Sequence, residues 1–167
     1  DTGLVITIDC GTTAFDVLNR AAKNGFEIIV IDHHEAETIL PAVYAVINPK
    51  RLDEDNQYPY LAYMSAVGVG FMFLVALNRE LRNRGFYQNQ PAPNLMNLLD
   101  LVALGTVCDV VPLLGLNRAY VRQGLKIMTK QQNVGLKNLL KTAAVESAPS
   151  SYHLGFVLGP RINACGR

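Results

Sequence analysis

Residues 4–34 read LVITIDCGTTAFDVLNRAAKNGFEIIVIDHH. LVITID, Leu4 to Asp9, is apolar and β-branched, the pattern of a buried strand. CGTT turns the chain, and Thr12 or Thr13 is placed to cap a helix whose apolar face is Val17, Leu18, Ala21 and Ala22. Gly25 suits the position just past that helix. FEIIVID, Phe26 to Asp32, is a second strand. Two strands joined through a helix pair in parallel by a right-handed crossover. The expected fold class is therefore α/β, a three-layer α/β/α arrangement with a mainly parallel sheet.

Outward from this unit, YAVIN, Tyr44 to Asn48, reads as a third strand bracketed by Pro41 and Pro49. Leu52 to Pro59 is a polar loop. LAYMSAVGVGFMFLVAL, Leu61 to Leu77, carries no charge. It sits at the short limit for a membrane span, and Ser65, Gly68, Gly70 and its alanines suit close packing inside a protein. It is read as a buried central helix ending near Gly85. Phe86 to Asn94 is a loop, and Leu95 to Thr106 has helical spacing. Asn117 to Gln131 and Leu136 to Ala144 are amphipathic helices with Lys and Arg outward. After a Ser-rich turn, Gly159, Pro160 and Gly166 predict an irregular backbone from Leu158 to Arg167.

A chain of 167 residues, 50% hydrophobic and 17% charged, suits one compact domain and excludes a disordered one. A net charge of +1 offers no broad basic field, so any nucleic-acid contact must rest on local Lys and Arg. Cys10, Cys108 and Cys165 are odd in number and lack CxxC spacing, which argues against a disulfide framework and for a reducing cytoplasm. They read as small buried residues packed beneath the site, with a thiol-bound Zn²⁺ as the other reading. No signal peptide is seen, and both ends look cut.

Asp9 closes the first strand and Asp32 the second, with His33 and His34 directly after. Ligands of open parallel sheets bind beyond the carboxyl ends of strands, and adjacent strands lie about 4.8 Å apart. If these strands are neighbours, Asp9, Asp32, His33 and His34 share one rim. Alone, an Asp at a strand end often caps a loop, and a His pair is more often structural. Together, clustered carboxylates repel and call for a cation. Oxygen and imidazole donors suit Mn²⁺ or Mg²⁺ better than Zn²⁺. Asp109, in ALGTVCDVVPL, is either a helix-terminus acid or a further ligand from a distant segment. In LGPRINACGR, Arg161 and Arg167 carry planar donors for phosphate and Asn163 adds an amide.

IDCG, IDHH, GTVCDVVPL and GPRINACGR, in this order, resemble the DHH phosphoesterase superfamily from Ile8 to Arg167. The last two motifs resemble its branch of single-strand-specific 5′→3′ DNA exonucleases. The DHH triplet itself is shared with family II pyrophosphatases, oligoribonucleases and cyclic-dinucleotide phosphodiesterases. The resemblance implies that Asp9, His33 and Asp109 are metal ligands, with Asp9 able to bridge two ions. It implies that Asp32 is a ligand or orients imidazole, that His34 faces the scissile phosphate, and that Arg161, Asn163 and Arg167 lie near substrate phosphates. The implied activity is phosphodiester hydrolysis with one or two Mn²⁺ or Mg²⁺ ions, releasing 5′-mononucleotides from single-stranded DNA. The implied setting is cytoplasmic DNA repair and recombination, with a single-strand-binding protein or other repair factors as partners and no membrane. A small-substrate phosphoesterase and a non-catalytic replication scaffold are the alternatives.

The superfamily's first motif, an Asp-x-Asp strand end, should lie upstream of Asp9, where only eight residues stand and none matches. Asp53-Glu54-Asp55 is a poor substitute. A second domain that helps hold the nucleic acid would follow Arg167. Residues 1–167 thus read as a partial DHH phosphoesterase domain, truncated at both ends, with weak metal affinity and little turnover of its own.

Overall fold

The computed structural model describes residues 3–53 and 58–164. Residues 3–53 carry a parallel sheet of three strands, β1 (Leu4–Ile8), β2 (Glu27–Ile31) and β3 (Ala45–Ile47), in the order β1-β2-β3. All three lie where their β-branched runs place them, but the expected burial of β1 is corrected: its Leu4, Val5, Ile6 and Ile8 are exposed. Ile8 pairs with Ile31 and Ile31 with Ile47, so the three strands end level. The chain forms two compact units, Asp1–Phe73 and Leu74–Arg167.

In the first unit, α1 (Phe15–Lys23) connects β1 to β2. Asp16 lies in its first turn and Arg20 and Lys23 in its last, each complementing the helix dipole. Its Leu18 packs with Ile28, Val30 and Val46 in an apolar core. Burial of each such side chain contributes about 1.5–3 kcal/mol. Asn24 caps the helix and Gly25, at φ 88°, follows as expected. The N-terminus departs from expectation: Ala14 occupies the cap position and no side chain caps it. Thr12 is buried and turned inward, toward Asp32.

The uncharged stretch does not form one helix from Leu61. Pro59–Tyr63 makes a short 3₁₀ turn, Met64 is extended, and α2 runs from Ala66 to Asn83. The Ser65 hydroxyl accepts from the Gly68 N–H at 3.4 Å, which starts the helix there. The boundary between the two units falls within α2. Ala66, Gly68, Val69 and Phe71 are buried, whereas Met72, Leu74, Val75 and Leu77 are exposed. Burial of the whole helix is thus corrected to its first half. A run apolar on every side carries no periodicity to say which part is covered. Among the described residues no helix is long and apolar enough to cross a membrane.

The second unit is helical. Leu95–Leu98 is a 3₁₀ turn whose Asn94 side chain accepts from the Met96 N–H. It leads into α3 (Leu99–Cys108), followed by α4 (Gly115–Met128) and α5 (Val134–Thr142). Asn133 caps α5 by accepting from the Leu136 N–H at 3.1 Å. Ala103, Leu104, Val121, Met128, Leu136, Leu140, Leu154 and Leu158 form its core.

The irregular backbone expected from Leu158 onward is also corrected. His153–Leu158 is a π-helical stretch that passes directly into α6 (Gly159–Ala164). Pro160 needs no N–H partner, and the wider π turn before it makes room for its ring. Asp53 is described, Glu54 and Asp55 are not, and Cys165, Gly166 and Arg167 also lie outside the described residues.

Candidate metal centre

Level strand ends put Asp9, Asp32 and Asn48 in one row, each a single residue past its strand. Two ladder bonds confirm the row: Asp9 N–H to the Ile31 carbonyl and Asp32 N–H to the Ile47 carbonyl, both 3.0 Å. The expected rim therefore exists, and β1 and β2 are neighbours.

After β1 the chain folds back sharply. Asp9 has φ 66°, a left-handed conformation that costs an L residue about 1–2 kcal/mol. Gly11 has φ 121°, and a Cβ there would press on Thr7 Oγ1 and Val30. Only glycine fits, and the turn aims the Thr12 N–H at Asp32 Oδ2, 3.0 Å away.

Asp32 is the hub. It is 1% exposed. Oδ1 accepts from the His33 N–H at 2.8 Å, the His34 N–H at 3.3 Å and His34 Nδ1 at 2.7 Å. Burial alone would raise its carboxyl. The bonds from the Thr12 main chain, the His34 ring, the Thr12 hydroxyl and the His33 main chain outweigh burial and hold it well below the usual carboxylate range. Asp32 is thus an ionised acceptor, and His34 Nδ1 must be the protonated nitrogen facing it. In the neutral ring that leaves His34 Nε2 as the bare donor atom.

His33 is held in the same sense from another side. Its Nδ1 lies 3.1 Å from the Met64 carbonyl oxygen, which can only accept. The neutral ring then presents its Nε2 lone pair, 3.3 Å from Asp9 Oδ1. Two acceptors this close repel unless a proton or a cation lies between them. One donor atom from each of Asp9, His33 and His34 lies within 4.8 Å of the other two. One carboxylate and two imidazoles, both oriented through Nδ1, fit a divalent cation of the Mn²⁺ or Mg²⁺ type.

The remaining expected residues belong to the second unit. Asp109 is the exposed C-cap of α3, and its N–H donates to the Gly105 carbonyl at 2.9 Å. Val110 beside it has φ 59°, a rare conformation for a β-branched residue. Arg161 is exposed in α6 and donates to the Val157 carbonyl at 2.7 Å, and Asn163 is exposed. Arg167 lies outside the described residues. Cys10 is exposed rather than buried, because the Asp9–Gly11 turn projects it outward. Cys108 is half-buried, with its thiol raised by burial and by the Asp109 charge.

Three participants escape sequence reading: Thr12, Asn48 and the Met64 carbonyl. Proximity to the strand ends is the one signal that Thr12 and Asn48 carry. A main-chain carbonyl leaves no trace in residue type.

Known proteins resemble this chain in sequence and fold. The DHH family, N-terminal domain, matches residues 2–106. The single-stranded-DNA-specific exonuclease RecJ of Escherichia coli (strain K12) is 41% identical over 98% of this chain. The RecJ of Thermus thermophilus is 35% identical over the same share. The chain spans 29% of the length of the first and 22% of the second. A crystal structure of exonuclease RecJ bound to manganese superposes with a TM-score of 0.76 at 33% identity, over 97% of this chain and 38% of that one. RecJ of Thermus thermophilus in complex with Mn²⁺ gives 0.78 at 35%, over 98% and 23%. With a paired strand-end rim, a histidine pair oriented by its own aspartate, and this match, the chain belongs to the DHH family.

Proposed function

We propose that this chain carries the metal centre of a 5′→3′ exonuclease acting on single-stranded DNA. Asp9, His33 and Asp109 are its ligands. Asp32 orients His34, which faces the scissile phosphate, and Arg161, Asn163 and Arg167 hold substrate phosphates. A bound Mn²⁺ or Mg²⁺ would supply a Lewis acid and lower the pKa of water at the phosphodiester. His34 adds a donor where charge develops on the phosphoryl oxygens. Support comes from RecJ relatives named as single-stranded-DNA-specific exonucleases and solved with Mn²⁺ or Mg²⁺. The proposed setting is cytoplasmic DNA repair and recombination, with a single-strand-binding protein as a partner.

The observation that carries the reading is the 3.3 Å approach of His33 Nε2 to Asp9 Oδ1, two atoms that a shared proton or a cation must bridge, with His34 in the same cluster. Calorimetric titration with Mn²⁺ tests it. Wild type should bind and His33→Ala should not. In the protein carrying this sequence, 5′-labelled single strands should be degraded faster than pyrophosphate or a cyclic dinucleotide. Equal Mn²⁺ binding by His33→Ala, or a preference for the small substrates, overturns the reading.

A further inference from the structure

Thr12 and Asn48 donate nothing to the Asp9–His33–His34 cluster, yet both are buried against it. Asn48 Nδ2 donates to Thr12 Oγ1 at 3.0 Å and to the His34 carbonyl at 2.9 Å. Asn48 Oδ1 accepts from the Lys50 N–H at 2.9 Å. A flipped amide would set oxygen against the His34 carbonyl and N–H against N–H at Lys50, so the orientation is fixed by its partners. Thr12 Oγ1 accepts from Asn48, and the Thr12 N–H donates to Asp32 Oδ2 at 3.0 Å. Asn48 thus holds Thr12, Thr12 holds Asp32, and His34 Nδ1 meets the same carboxylate from the other side at 2.7 Å.

We propose that Thr12 and Asn48 are positioning residues for His34, locking its ring through Asp32 and its main chain through the Asn48 amide. What His34 then does rests on the proposed function, whereas the lock itself does not. The His34 side chain is 60% exposed, and its ring meets that of His33 edge-on at a centroid distance of 4.6 Å. A ring held at Nδ1, on a residue held at its main-chain carbonyl, keeps one orientation beside Asp9 and His33. The register explains why these residues are available: Asn48 is the β3 member of the strand-end row, and the Gly11 turn delivers Thr12 to the β2 member.

Long-range ¹H–¹⁵N spectra of the histidine rings, recorded with the imidazoles neutral, report the lock directly. Wild-type His34 should show the Nδ1–H tautomer alone. Thr12→Val keeps the shape and deletes the hydroxyl. It should give a mixture of His34 tautomers, and Thr12→Ser should restore the single tautomer. A merely structural role would lower the unfolding midpoint and leave the tautomer untouched. Thr12→Val with the wild-type tautomer overturns the inference. If Thr12→Val does not fold, Asn48→Ala in the same spectra carries the same two outcomes. A wild-type chain that binds no Mn²⁺ counts against the proposed function, and the tautomer of Thr12→Val still decides the lock.

Discussion

His34 Nδ1 lies 2.7 Å from Asp32 Oδ1, the same oxygen that takes the main-chain N–H groups of both histidines. One buried carboxylate therefore sets the backbone of the His33-His34 pair, and the ring of His34, in a single geometry. Asp32 is a fixed anion on which donors converge, and Thr12 completes the set at Oδ2.

Asp32→Ala should accordingly cost stability as well as function. It strands the buried N–H groups of Thr12 and His33 and the half-buried one of His34. Unfulfilled buried donors cost about 1–3 kcal/mol each, and because these relax together we expect a total of about 3 kcal/mol. Asp32→Asn keeps one acceptor oxygen and should lose about half of that. Urea unfolding in chelator-treated buffer measures it without any metal contribution. Equal midpoints for Asp32→Ala and wild type would contradict the hub.

The strand–helix–strand unit is legible in the sequence because β-branched runs and a 3.6-residue apolar spacing differ in period. Asp9, Asp32, His33 and His34 are legible with it, since strand ends of a parallel sheet point the same way. Thr12 is read as a helix cap and is instead a partner of Asp32: a hydroxyl can serve either, and only the Gly11 turn decides which. Asn48 acts through a register that brings it beside residues 14 and 36 positions away. The tail from Leu158 reads as irregular because Gly and Pro are breakers in isolation, whereas its described part, up to Ala164, continues the π stretch as helix.

Asp100 makes a prediction of opposite electrostatic sign to Asp32. It is 3% exposed in the first turn of α3, and its Oδ1 accepts from the Leu101 N–H at 2.7 Å. Burial outweighs that bond and raises its carboxyl above the ordinary value. A raised folded value favours the protonated form, so its contribution is fully present below the unfolded value and is lost as pH rises through the folded one. Asp100→Asn should therefore be more stable than wild type at about pH 7, with the gap closing below about pH 4. Urea midpoints across that range test it. A constant gap would remove the titration from the explanation.

Helix α4 approaches α3 through Gly124. A Cβ at that position would collide with the Leu99 carbonyl oxygen and the Ala103 Cβ. Backbone cannot swing aside as a flexible side chain can, so the two helices would have to separate. Gly124→Ala gains helix propensity of about 1 kcal/mol. Overpacking of about 1–3 kcal/mol or more opposes it, and at a backbone contact the upper end applies. We expect a net loss of about 2 kcal/mol in thermal or urea unfolding. A stabilised Gly124→Ala would mean that the helices do not pack this closely.

Val110 holds a left-handed conformation at φ 59° immediately after Asp109, and it is 87% exposed. Its N–H bonds the Val107 carbonyl at 3.2 Å, the helix ending in which glycine usually stands. The conformation costs a β-branched residue about 1–2 kcal/mol, and so exposed a side chain returns little through packing. Val110→Gly removes that strain, while the extra freedom of glycine in the unfolded chain takes back about 0.5–1 kcal/mol. The variant should be more stable by about 0.5–1 kcal/mol. Strain of this kind persists where the surroundings enforce it, often next to functional groups. With Asp109 as a proposed ligand, the same variant should bind Mn²⁺ more weakly, because a freer turn no longer holds the carboxylate in place. Urea unfolding paired with Mn²⁺ calorimetry separates the two effects. Higher stability with unchanged Mn²⁺ affinity would confine Val110 to the helix ending and detach its strain from any role of Asp109.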